Sequence, residues 1–148
     1  MNIMRCLLLA VFLSLVAIPL RAQDGLNINS LFDGRYRSNP VVSETIIQGS
    51  RLSRYDLKNY HALTLTGVPD AAYEIERLVS KDGAKALSRE VSYKQGRLYY
   101  GFYRLASHNG LRRYLFYLNQ HLKGGNKIIL IYLDGDADTE AIKRMLKK

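Results

Sequence analysis

Arg97-Leu98-Tyr99-Tyr100-Gly101-Phe102-Tyr103-Arg104-Leu105 decides the fold, together with the two runs that follow it. Its aromatic residues occupy both alternate sets of positions, so as a strand it belongs in the middle of a sheet with cover on each side. Asn109-Gly110, a strong hairpin dipeptide, then leads into Leu111 to Leu122. That stretch is long enough for a helix, but Tyr114, Phe116, Tyr117 and Leu118 favour a strand. Gly124-Gly125-Asn126 reverses the chain once more into Lys127 to Leu133, where Ile128-Ile129-Leu130-Ile131 is the strongest buried-strand signal in the sequence.

Working outward, Leu87, Val91 and Tyr93 share one face of a further strand, with Arg89 a misfit on it, and Gln95-Gly96 turns it into Arg97. Upstream, Pro69 opens a helix in which Ala71, Ala72, Ile75, Leu78 and Val79 recur at helical spacing up to Gly83. Tyr60 to Val68 alternates as a half-buried strand, and Val41 to Gln48 reads as another. Arg51 to Asn59 fits neither period. Asp138 caps a last helix with the apolar stripe Ala141, Ile142, Met145 and Leu146, and Lys143, Arg144, Lys147 and Lys148 complement its carboxyl end. The order β-β-α-β-β-β-β-α predicts an α+β domain: a mainly antiparallel sheet of about six strands, with two helices packed on one face.

The amino terminus reads as an address. Arg5 precedes an apolar run from Cys6 to Leu20, and polarity returns at Gln23 after Leu20-Arg21-Ala22. This is the layout of a secretory signal cut after Ala22. The run reaches about 22 Å as a helix, short of the roughly 30 Å of a bilayer core, so no retained transmembrane helix is expected. The divisions are residues 1–22 as signal peptide, 23–40 as a polar lead-in arm tacked down by Leu31, Phe32 and Tyr36, and 41–148 as one domain. Cys6, the only cysteine, leaves with the signal, and a cysteine-free exported protein fits the periplasmic or extracellular face of a bacterial envelope. The net charge of +9 falls to +7 because Arg5 and Arg21 leave too. A basic exported chain meets an envelope protein, an anionic glycan or a lipid headgroup, and export leaves nucleic acid out.

No motif nominates a catalytic residue, cofactor or metal. Asp134, Asp136 and Asp138 begin like a calcium loop, but Thr139 and Met145 stand where glycine and a bidentate glutamate are needed. Asp136 and Asp138 are expected to satisfy amides at the helix start instead. His61, His108 and His121 have no ligand spacing. Nothing in the spacing of Glu44, Asp56, Glu74 and Glu90 pairs these carboxylates. The candidate ligand surface is the basic aromatic set Arg97, Tyr99, Arg104, Arg112 and Arg113, suited to stacking and anion binding.

Tyr114-Leu115-Phe116-Tyr117-Leu118-Asn119, Leu122-Lys123-Gly124-Gly125-Asn126-Lys127 and Ile129 to Asp138 with the helix to Leu146 resemble small exported proteins of Bacteroidales, grouped as domains of unknown function. A larger related group ends similarly, in an apolar strand, a Gly-Asp turn and a short helix. The resemblance covers residues 87–148 and implies a signal peptide, a small α+β domain and an envelope location. It brings no catalytic residue. The leading expectation is a non-enzymatic binding or interaction module of the envelope. The alternatives are a hydrolase acting on an envelope glycan or peptide, and a structural subunit of an envelope assembly.

Overall fold

A strand apolar at every position is stable only with neighbours on both sides and cover on both faces, and Ile128 to Leu133 is such a strand. The computed structural model describes residues 25–36, 38–123 and 125–147. The signal expected over residues 1–22 lies outside them, as do Gln23 and Asp24 of the arm. The elements are β1 (Val42–Gln48), β2 (Leu57–Thr66), α1 (Pro69–Ala84), β3 (Ser88–Lys94), β4 (Arg97–His108), β5 (Leu111–Leu122), β6 (Gly125–Gly135) and α2 (Thr139–Leu146). Two 3-10 turns, Asn27–Phe32 and Gly49–Tyr55, precede β1 and β2. The order is the expected one. Leu111–Leu122 is a strand, and the ambiguous Arg51–Asn59 divides between the second 3-10 turn and the start of β2.

The strands form one antiparallel sheet, β1-β2-β6-β5-β4-β3. After β2 the chain crosses four strand spacings, roughly 19 Å, to reach the far edge. The sixteen residues of α1, about 24 Å long, make that crossing. The meander β3 to β6 then walks back, and β6 zips against β2. Gln95-Gly96 and Asn109-Gly110 have positive φ at both residues, 53° and 74° in one and 52° and 76° in the other. These are the tight hairpin turns whose twist matches the strands they join.

The two helices lie on opposite faces, which corrects the expectation of both on one. On the first face, Ile75 and Val79 of α1 pack on Leu63, Leu65, Leu130 and Tyr132. On the second, Ile142 of α2 packs with Ile131, Leu133, Tyr114 and Phe102. The physical reason is the two-sided character of β4, β5 and β6: a sheet whose central strands are apolar on both sides needs a layer on each. In β4 the pairs Ser92–Tyr100 and Tyr93–Leu98 leave Tyr99 in a bulge. Leu98 and Tyr103, five residues apart, therefore share the first face while Tyr100 and Phe102 take the second.

The arm completes the first layer. Ile28, Leu31 and Phe32 are buried, and the Asp82 carboxylate near the end of α1 accepts from the amides of Asn27 and Ile28 (2.8 and 2.9 Å) and from Asn27 Nδ2 (2.8 Å). Buried Asp82 thus holds the arm against the helix. At the far edge β3 is exposed at every position but Val91, so Arg89 faces water without cost and Leu87 and Tyr93 are largely exposed. Charged residues on an exposed edge also discourage strand addition.

Candidate binding face

The second sheet face is under-covered. Six strands span roughly 24 Å, whereas the eight residues of α2 extend about 12 Å. The helix is fixed at its start. Asp136 and Ala137 donate their amides to the Asp56 carbonyl (2.9 and 3.0 Å), and Tyr114 Oη donates to the Ala137 carbonyl (2.8 Å). Asp138 Oδ1 accepts from the Ala141 amide at 2.8 Å. Asp138 caps the helix as expected; Asp136 contributes its backbone rather than its exposed side chain. Of the apolar stripe only Ile142 is fully covered, and Ala141, Met145 and Leu146 remain half-buried beside it.

Two apolar troughs flank α2. The larger, about 620 Å³, is lined by Ile47, Leu52, Leu57, Tyr60, Ala141 and Met145, with Arg54, Tyr55, Asp56 and Arg144 around it. The smaller, about 250 Å³, lies over Tyr100, Phe102, Phe116 and Leu118, with Leu146 and the charged Glu90, Lys143 and Lys147. The charge at the two differs. Lys143 is tied to the Glu90 carboxylate, which raises the ammonium pKa further. Arg54 is held by the phenol of Tyr55, donating to its oxygen with the guanidinium 4.6 Å from the ring centroid. Burial raises the Tyr60 phenol, and burial foremost raises that of Tyr100.

The sequence of residues 15–146 matches a family of unknown function, DUF6108. The chain belongs to that family. No curated protein and no solved structure matches it. In this DUF6108 chain the match covers the whole of α2 and every element that seats it.

The five candidate surface residues do not converge. Arg97 binds Glu76 of α1 through Nε (2.8 Å) and Nη2, and stacks 3.7 Å over Tyr73, clamping the start of β4 to the helix. Tyr99, in the bulge, lies under the Lys94 ammonium at 3.7 Å. Arg113 is buried, its Nε donating to the Ala106 carbonyl at 3.1 Å beside Asp134 in the register. Only Arg104 and Arg112 share the second face: Arg104 pairs with Tyr114, and Arg112 Nη1 reaches the Asp136 carbonyl at 3.4 Å. The sequence placed Met145 in the apolar stripe of the last helix and Arg144 at its carboxyl end, but nominated neither of them, nor Arg54 or Tyr60, for a site. Their signal was the disproportion between an eight-residue helix and a six-stranded sheet.

Several of the remaining polar groups of this chain are engaged in holding the fold. Asp134 is buried on the first face, accepting from Tyr132 Oη and Asn59 Nδ2 at 2.8 Å each. His61 sits edge-on to Phe32 and Tyr132, while His108 and His121 are exposed, His121 Nδ1 lying 3.1 Å from Asn126 Oδ1. Glu74 pairs with Arg35 at 2.7 Å, and Glu44 stands half-buried on β1. Among the described residues no group of three or more His, Cys, Asp or Glu side chains is placed to hold a metal, and no helix is long and apolar enough to cross a membrane.

Proposed function

We propose that this DUF6108 chain is a non-enzymatic binding module of a bacterial cell envelope, with its seat on the second sheet face. The observation that carries this reading is the incomplete cover of that face, which leaves apolar troughs rimmed by cations on both sides of α2. Concave, mostly apolar sites with a few polar groups at the edge are the usual form of a ligand pocket. Each trough has a single acid, Asp56 in one and Glu90 in the other, so neither offers the carboxylate pair of a glycan hydrolase. Export is supported by the Arg5 and Cys6–Leu20 leader ending at Ala22, by the cysteine-free remainder, and by the likeness to exported Bacteroidales proteins.

A titration with Nile Red, a neutral apolar dye, tests the seat. Saturable binding should be lost stepwise in Met145→Glu and Leu118→Glu, one substitution per trough, with melting temperatures close to the parent. Equal dye binding by both variants refutes the seat. Self-association that these variants abolish would favour the structural-subunit alternative. Amino-terminal sequencing of the native protein should begin at Gln23, in an envelope fraction.

A further inference from the structure

We infer that the larger trough holds a single acyl chain bearing an anionic head, taken up as a free molecule rather than within a bilayer. The inference rests on the binding face proposed above and names its ligand class. Ile47, Leu52, Leu57 and Tyr60 from the sheet side and Ala141 and Met145 from α2 supply the trough's apolar lining. Two guanidinium groups border it from separate elements, Arg54 from the second 3-10 turn and Arg144 from α2. Arg144 is exposed and makes no ion pair with a described residue, and Arg54 is oriented by Tyr55 without being neutralised. In the smaller trough Glu90 engages Lys143, which leaves Lys147 as its one cation outside an ion pair with a described residue, where the larger trough has two.

Geometry separates the free ligand from the membrane surface. A helix that lies on a bilayer presents a protruding apolar face. Here the apolar groups line a depression between α2 and the 3-10 turn, and the exposed groups at its edge are Arg54, Tyr55, Asp56 and Arg144, two cations against one acid. A volume of about 620 Å³ lies within the range of small-molecule sites. Arginine's planar fork suits a carboxylate or phosphate head.

Calorimetry on the native protein with palmitate, laurate, neutral palmitoyl glycerol and phosphatidylglycerol vesicles tests the inference. One palmitate per chain should bind, laurate at least tenfold more weakly because each lost methylene removes apolar burial. The double variant Arg54→Ala/Arg144→Ala should lose at least tenfold in palmitate affinity with unchanged melting, and Ala141→Trp, which fills the trough, should abolish binding. Unchanged palmitate affinity in the double variant, equal affinity for the neutral ester, or binding to vesicles alone overturns the inference. Palmitate binding that survives Ala141→Trp does the same. If Nile Red binds and palmitate does not, the ligand class falls and the binding face stands; if neither binds, both fall.

Discussion

Gly83 of α1 and Tyr103 of β4 touch where the helix crosses the sheet: a Cβ on Gly83 would lie 2.4 Å from Tyr103 Cε1. The ring's other edge lies close over the bare Gly101 backbone, where a Cβ would come within 2.6 Å of Cε2, so the ring is held between the two glycines. Replacing a helical glycine by alanine ordinarily favours the helix by about 1 kcal/mol. Here the sign reverses. Gly83→Ala should destabilise by about 1–3 kcal/mol, the usual cost of overpacking. Urea midpoints of the single variant and of Gly83→Ala combined with Tyr103→Leu check the cause, because the smaller partner should recover most of the loss. A Gly83→Ala variant as stable as the parent would mean that the helix sits farther from the sheet.

Asp82 performs the corresponding task for the arm. Its buried carboxylate accepts three hydrogen bonds from Asn27 and Ile28, and hydrogen bonds to a charged acceptor contribute about 1.5–3 kcal/mol. Asp82→Ala should cost about 2–4 kcal/mol and free the segment around Ile28–Phe32 from the first face. Limited proteolysis reads this directly: the variant should be cut near Gly25 to Asp33 well before the rest of the domain, and the parent should not. Equal resistance in both proteins would show that Ile28, Leu31 and Phe32 hold the arm unaided.

Much of this architecture is legible in the sequence because it depends on local periodicity. Pro69 and the Ala72, Ile75, Val79 spacing mark α1, and the paired Gln95-Gly96 and Asn109-Gly110 turns fix the meander. The distribution of layers is less legible, since it depends on which set of alternate residues each helix meets. The two-sided aromatics of Arg97 to Leu105 did call for cover on both faces, a requirement that two helices on a single face could not meet. The site escaped for a related reason. Arg54 and Arg144 lie ninety residues apart and meet the same trough only because β6 inserts beside β2. Arg97 and Arg113, by contrast, belong to an aromatic-basic run whose charges the fold engages in anchoring α1 and in the buried polar network.

Alkaline pH should weaken the fold through its tyrosines. Burial, the largest cause in each case, pushes Tyr103 and Tyr117 up to about 12 from the ordinary value of 10.0, and raises Tyr132 further. The folded state therefore resists losing phenolic protons that the unfolded chain releases near pH 10. Stability is fully present below pH 10 and declines as the pH rises toward 12, by about 1.4 kcal/mol per pH unit for each such tyrosine. Urea midpoints between pH 8 and 12, followed beside phenolate absorbance, should show a steep loss that Tyr117→Phe makes shallower. A flat profile would mean that these phenols ionise within the native state.

The covering helix offers the sharpest contrast within one element. Ile142 is fully buried against Leu133 and Tyr114, whereas Met145, one turn on, is half-buried beside the larger trough. Ile142→Ala should cost about 2–4 kcal/mol, the range for emptying a well-packed core position. Met145→Ala should cost less than about 1 kcal/mol, because its side chain already has open space on one side. Chemical denaturation of the two variants measures the difference. Similar large losses at both positions would mean that the trough is closed in solution, with α2 seated too tightly to leave room for a ligand.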